Sequence, residues 1–478
     1  MIEPDWKGPL GEAFDHAVAY LSDLAQRPVA ASASTERLRA TLGGPLPQGP
    51  SDPRQVVADL ATAAAPGVVA SGSGRYFGFV IGGSTPAAMA ADWLTAAWDQ
   101  NAGLQVAGPS ASVVEEITAG WLAELLGLPD QVSVGFLTGA QMATFTGLVI
   151  GVREVLARHG WDVQSEGLFG APRIRVFAGQ GRHDTIDRAL RFQGLGTGSV
   201  VPVGVDDQGR MRADLLAELM DGADGPVIVC AQAGNVNSGA FDPLTQICEI
   251  AHRHRAWVHV DGAFGLWAAA SPALRHLTRG AELADSWATD AHKWLNVPYD
   301  SGLVFCAHPR AHQEAMGVRA GYLVHSTGAD RDAIDYGPDF SRRARGFAVY
   351  AAIRALGRSG IAELVERCCG LATRFAARLE AGGADVVNDV VLNQVLVRFP
   401  AGPGSTPEQD DAHTRAVIAR VQRDGTCWMS GTTWQDRAAM RISVSNWSTD
   451  EEDVDRSAAV VLHCAGTSAG RTGSTEED

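Results

Sequence analysis

The chain has 478 residues, 46% of them hydrophobic and 20% charged, which describes a globular protein larger than one ordinary domain. Its formal net charge of −16 argues against nucleic-acid binding. Met1-Ile-Glu-Pro-Asp-Trp6 has neither a basic nor an apolar signal region, no apolar run is long enough for a membrane, and the seven cysteines lack Cys-x-x-Cys spacing, so the expectation is a cytoplasmic protein with reduced thiols and no metal.

Residues 10–28 carry Ala13, Ala17, Leu21 and Leu24 at helical spacing, and residues 41–53, rich in Gly and Pro, read as a linker. Arg75-Tyr-Phe-Gly-Phe-Val80 precedes a Gly-Gly-Ser-Thr-Pro turn and a helix through Trp93 and Trp98. Residues 132–138 read as a strand, Gly139-Ala140 as a turn, and a helix begins near Gln141 with Leu148, Val152, Val155 and Leu156 on one face. A strand, a tight turn of small residues and a helix N-terminus make an anion site, because unbonded N–H groups and the helix dipole point at it. A strand at 174–178 leads to Gly181-Arg-His-Asp184, where Asp184 is placed as the cap of the next helix and His183 just outside it. Strands at 199–203 and 226–231 and helices at 212–220 and 243–255 continue a β-α-β alternation, which implies a mostly parallel sheet with right-handed crossovers. Ala256-Trp-Val-His-Val-Asp261 is an apolar strand that ends on a carboxylate, and Gly302-Leu-Val-Phe-Cys306 is another strand. A polar stretch follows from Tyr322 to Arg345, residues 346–464 suit a smaller domain with a strand at 440–444, and residues 467–478 read as disordered. The division expected is an N-terminal helical extension at 1–90, a large cofactor-binding domain at 91–345, a small C-terminal domain at 346–466 and a tail at 467–478.

Of the 39 Lys and Arg residues only two are lysine, Lys7 and Lys293. Where a point charge suffices, this composition uses arginine. A guanidinium stays protonated and cannot act as an amine nucleophile, whereas lysine can form a Schiff base. Lys293 stands in Asp290-Ala-His-Lys293, downstream of the strand that delivers Asp261. A Schiff-base lysine and an aspartate for a pyridinium nitrogen are the minimum a protein supplies to pyridoxal 5'-phosphate (PLP). The alternative for the same two residues is a buried Asp261–Lys293 salt bridge.

Through His259-Val260-Asp261-Gly262-Ala263 and Asp290-Ala291-His292-Lys293, the chain resembles the group II PLP-dependent decarboxylases, which include the aromatic-amino-acid and glutamate decarboxylases. The resemblance runs with gaps over about residues 75–456 and departs from the family's Asn-Pro-His-Lys at Asp290 and Ala291. It implies an α/β protein of PLP fold type I, aspartate-aminotransferase-like, with a mostly parallel central sheet flanked by helices. It also implies a homodimer whose N-terminal helices wrap the partner subunit. Lys293 would carry the cofactor, Asp261 would keep its ring nitrogen protonated, and His183 and Ala263 would face the two sides of the ring. Ala140 and Gln141 would hold the phosphate with His292 nearby, and Asn235 would stand for a family threonine beside the cofactor. A second carboxylate, Asp290, so close to the phosphate is unfavourable unless cations or backbone donors intervene.

Phe79 would face the substrate side chain, the alternative being an ordinary core aromatic. Tyr336, the only tyrosine in the polar stretch after Ser326, would reprotonate the carbanion. The reaction implied is decarboxylation of an L-amino acid with an aromatic or apolar side chain, giving the amine and CO2. The alternatives are a transaminase, with Arg441 to hold the substrate carboxylate, an aldehyde-forming or eliminating lyase, and a non-catalytic PLP-binding subunit.

Overall fold

The computed structural model describes residues 5–318 and 330–466. It divides into two compact units. One gathers Met1–Ile81, Arg374–Val386 and Val397–Asp478; the other comprises Gly82–Thr373 and Val387–Leu396. Among the described residues no helix is long and apolar enough to cross a membrane.

The larger unit is built on a seven-stranded sheet. Its strands are β1 (Ser133–Leu137), β2 (Arg175–Gly179), β3 (Val200–Val203), β4 (Val227–Gln232), β5 (Trp257–Asp261), β6 (Ser286–Asp290) and β7 (Gly302–Cys306). They lie in the order β1-β7-β6-β5-β4-β2-β3. Strands β2 to β6 pair in parallel, while β7 is antiparallel to both β6 and β1. The reversal arises because residues 291–301 return the chain directly beside β6. An antiparallel neighbour needs no crossover helix. Strands β1, β4, β5, β6 and β7 are buried at every residue, as expected of a sheet covered on both faces.

Strand β6 was not expected, because Ser-Trp-Ala-Thr-Asp lacks an aliphatic run. Pairing on both sides makes it a strand: β5 and β7 flank it, and the indole N–H groups of Trp257 and Trp287 donate to Ser286 Oγ and Ala281 O. Asp290 thereby becomes the last residue of a buried strand rather than part of a loop.

The helix Ala140–Ala157 buries Leu148, Val152, Val155 and Leu156, as its periodicity predicts, in a core with Ile174, Val176, Ile228 and Trp257. Each such side chain removed from water contributes about 1.5–3 kcal/mol. The helix lies close against β5. A Cβ on Gly147 would come 2.7 Å from the His259 ring, and one on Gly151 would come 2.7 Å from the Trp257 ring.

In the smaller unit the expected first helix spans Lys7–Asp23, and the linker lies between helices Thr35–Leu42 and Pro53–Ala64. None of these three helices buries a residue, and Leu10, Phe14, Leu21 and Leu60 are exposed. The second sheet of the chain has strands β8 (Asp385–Val386), β9 (Gln394–Arg398), β10 (Ser430–Trp434) and β11 (Arg437–Ser443) in the order β10-β11-β9-β8, with Gln394–Leu396 of β9 counted in the larger unit. The strand expected at 440–444 is the second half of β11. The tail expected at 467–478 lies outside the described residues, as does the start of the polar stretch at Tyr322.

Candidate active site

Parallel strands bring their carboxyl ends to one edge, where α/β sheets bind ligands. Strand β5 ends there on Asp261 and β6 on Asp290. Gly262 N–H donates to Ala288 O and Asp290 N–H to Ala263 O, both at 2.9 Å, which locks the two strand ends together. Ala233, just past β4, donates its N–H to Asp261 O at 2.8 Å. Strand β1 runs with the parallel set and reaches the same edge through Leu137, which faces Gly302. It delivers Gly139 and the N-terminus of helix Ala140–Ala157. A Cβ on Gly302 would lie 2.3 Å from Gly139 Cα, so only glycine lets the two backbones approach.

The centre of this edge is a buried charge cluster around Asp290, whose side chain is 3% exposed. Lys293 Nζ lies 3.0 Å from Asp290 Oδ2. Ala140 N–H donates to Asp290 Oδ1 at 2.5 Å, and His292 Nε2 is 3.4 Å from the same oxygen. Ser301 N–H donates to His292 Nδ1 at 3.1 Å, so in the neutral ring Nε2 carries the hydrogen. Burial lowers the His292 pKa, against the pull of Asp290, and the ring packs on Tyr299 at 4.2 Å. These donors replace the water that a buried carboxylate would otherwise lose. The ion pair of Lys293 is therefore with Asp290. Asp261 is also buried, and its Oδ1 accepts from Ala263 N–H at 3.2 Å. Among the described residues no cation is paired with Asp261.

The loop bearing His183 is tied to this cluster from two sides. Gln141 Nε2 donates to Thr185 O at 3.4 Å, and Asn235 Nδ2 donates to Gly181 O at 3.2 Å. Asn235 is buried, and its Oδ1 accepts from Asn237 N–H and Ser238 N–H. Its side chain thus braces the loop. His183, not Asp184, caps the helix Asp184–Phe192: Nδ1 accepts from Thr185 N–H at 3.3 Å, because a cap needs its acceptor one residue before the first turn. Its ring is otherwise exposed. Ala140, Gln141, His183, Asn235, Asp261, Ala263, His292 and Lys293 all stand at this one edge.

Tyr336 does not. Its hydroxyl accepts from Gln313 Nε2 at 2.7 Å, its carbonyl faces His312 Nε2 at 3.1 Å, and Arg331 lies over its ring at 4.0 Å. His312 also meets Ser133 Oγ at 2.8 Å, at the start of β1. That is the amino edge of the parallel strands, opposite Asp261 and Lys293. Choosing the only tyrosine of a stretch could not see which edge the chain had reached. Residues 319–329 lie outside the described residues.

Phe79 belongs to the smaller unit. It is 57% exposed, so it is not a core aromatic, and its ring lies 5.2 Å from Trp428, which stacks on Tyr76 at 5.1 Å. Phe79 and Val80 hold φ values of 55° and 60°, a left-handed conformation that is costly for a bulky or β-branched residue. Sequence reading missed Trp428, because the pairing that brings it to Tyr76, with Phe77 N–H donating to Trp428 O and Trp428 N–H to Arg75 O, joins segments remote in sequence.

The donor set fits a phosphorylated aldehyde. There is an amine on Lys293, a buried carboxylate on Asp261 with one oxygen uncommitted to the backbone, and a helix start with first-turn N–H groups. The cradle is close: a Cβ on Gly139 would lie 3.2 Å from His292 Cε1.

Comparison with known proteins agrees with this chemistry. Residues 36–399 match the model of the pyridoxal-dependent decarboxylase conserved domain. An aromatic-L-amino-acid decarboxylase of Bacillus atrophaeus is 24% identical over 451 residues, covering 93% of this chain and 92% of that protein. Tryptophan decarboxylase 1 of Oryza sativa subsp. japonica is 27% identical over 482 residues, covering 95% and 92%. The crystal structure of Oryza sativa TDC with PLP and tryptamine superposes with a TM-score of 0.91 at 24% identity, covering 98% of this chain and 99% of that one. The fold is that of PLP fold type I, and the chain belongs to the pyridoxal-dependent decarboxylase family, lyases that work with pyridoxal 5'-phosphate.

Proposed function

We propose that the protein decarboxylates an L-amino acid to its amine and CO2, with Lys293 as the residue that holds the cofactor. The observation that carries this reading is the convergence of Lys293, Asp261 and the Ala140 helix start on one edge of the sheet. When bound, PLP supplies a ring that accepts the electron pair left on the α-carbon as CO2 departs. The chain supplies the rest. Lys293 binds the aldehyde carbon, Asp261 keeps a proton on the ring nitrogen through its negative charge, and the amides of Ala140 and Gln141 bind the phosphate. His183, carried on the braced loop, and Ala263 orient the ring. No role in proton return is assigned to Tyr336, given its place at the far edge.

The bond held perpendicular to the ring is the one cleaved, so orientation decides between decarboxylation and its competitors. An aromatic substrate is supported by the aromatic-amino-acid and tryptophan decarboxylases among the relatives. A transaminase is the second reading. It rests on Arg441, whose Nε is buried and, among the described residues, without a hydrogen-bond partner, and whose pKa burial lowers. A carboxylate ligand would satisfy such a group.

A second copy of the chain is the proposed partner, supported by the exposed apolar residues on three helices that bury none. Light scattering should give twice the chain mass. Seven cysteines, none of them in a disulfide among the described residues and five of them buried, suit a reducing compartment such as the cytoplasm. Mass spectrometry of products from an amino-acid panel tests the reaction. Amine and CO2 support it, keto acid that disappears in Arg441→Ala supports the transaminase, and no product from any amino acid refutes both.

A further inference from the structure

We propose that the Asp290 carboxylate competes with the cofactor's phosphate for the helix start at Ala140 and for Lys293, so that this chain holds PLP more loosely than a neutral residue at 290 would allow. The inference rests on the PLP reading above. On the pyridine ring the aldehyde and the phosphate-bearing arm leave neighbouring carbons, so an amine that reaches the aldehyde has the phosphate close by. In this protein the group lying between that amine and the helix start is Asp290, with Oδ2 at 3.0 Å from Lys293 Nζ and Oδ1 accepting from Ala140 N–H at 2.5 Å. This is the place where first-turn amides receive an anion.

The carboxylate is held there. Its side chain is 3% exposed, its own N–H donates to Ala263 O at 2.9 Å, and its carbonyl accepts from Trp267 Nε1 at 3.0 Å. Among the described residues its ion-pair partners are Lys293 and His292, and burial disfavours the charged form of His292. An arriving phosphate dianion therefore meets a fixed negative charge in a site of low dielectric. Attachment engages the same amine: the Lys293 nitrogen forms a double bond to the aldehyde carbon, two of the ammonium's protons leave with the aldehyde oxygen as water, and the third stays on the nitrogen.

The test compares PLP with pyridoxal, which has the aldehyde but no phosphate. Full-length protein freed of cofactor is titrated with each, and covalent attachment is read by visible absorbance and by the mass of the borohydride-trapped adduct. Any effect of residue 290 on the amine alone appears with both probes. The ratio of PLP to pyridoxal affinity isolates the phosphate. In Asp290→Asn and in Asp290→Ser that ratio should rise by about tenfold or more over the wild type. A ratio that stays level or falls, with attachment intact, overturns the inference and leaves the PLP reading standing. No attachment in any of the proteins overturns both.

Discussion

Lys293→Arg separates the two jobs of one side chain, its charge and its amine. The charge is structural: Nζ lies 3.0 Å from a carboxylate that is only 3% exposed. Removing one partner of a buried pair costs about 3–5 kcal/mol. Asp290 keeps the Ala140 N–H and the His292 ring, so Lys293→Ala should lie at the lower end, about 3 kcal/mol. Lys293→Arg keeps a cation and should recover most of that loss. Neither variant has an amine that can attack an aldehyde, so both should lose covalent cofactor and fall to background turnover. Urea unfolding of the cofactor-free proteins measures the first effect, and borohydride trapping with product analysis measures the second. An Arg variant that still traps cofactor would refute the nucleophile assignment. An Ala variant as stable as the wild type would refute the ion pair.

Asp261→Asn retains the side chain's size but removes the charge that holds a proton on the ring; kcat should fall about a hundredfold, or about 2.7 kcal/mol, with cofactor still attached, and an unchanged kcat would contradict the role. Glu115→Gln should destabilise the larger unit by about 3–5 kcal/mol in urea unfolding, because Arg342 Nη2, 2.6 Å from Glu115 Oε1, and Arg331 Nε, 3.7 Å from Oε2, would lose their buried counter-ion. Asp285 links stability to pH. Burial pushes its carboxyl up, but hydrogen bonds from His252 and His308, at 3.2 and 2.8 Å, together with Val258 N–H, hold it at about 2. The bond to Asp285 raises His252 in turn. The Asp285 contribution is present above its ordinary value of 3.8 and fades as pH falls toward about 2. The His252 contribution is full below 6.5 and fades as pH rises past its raised value. Melting temperature against pH should therefore flatten at both ends in Asp285→Asn.

Residue chemistry and periodicity alone determined a good deal. A lysine scarce enough to stand out, an apolar strand ending on Asp261, the amphipathic run after Gly139 and the β-α alternation are local properties, and each holds its place in the structure. The tertiary structure decided what depended on distant partners. Ala140 and Asp290 are 150 residues apart, so nothing near either one announces that the carboxylate meets the helix start. Strand β6 exists because β5 and β7 flank it, and β7 reverses because the lysine loop turns back. Asn235 is a brace and Tyr336 lies at the opposite edge because strand direction and pairing fix where each loop emerges. A side chain's identity sets what chemistry it can do; the packing of strands remote in sequence sets which groups it meets.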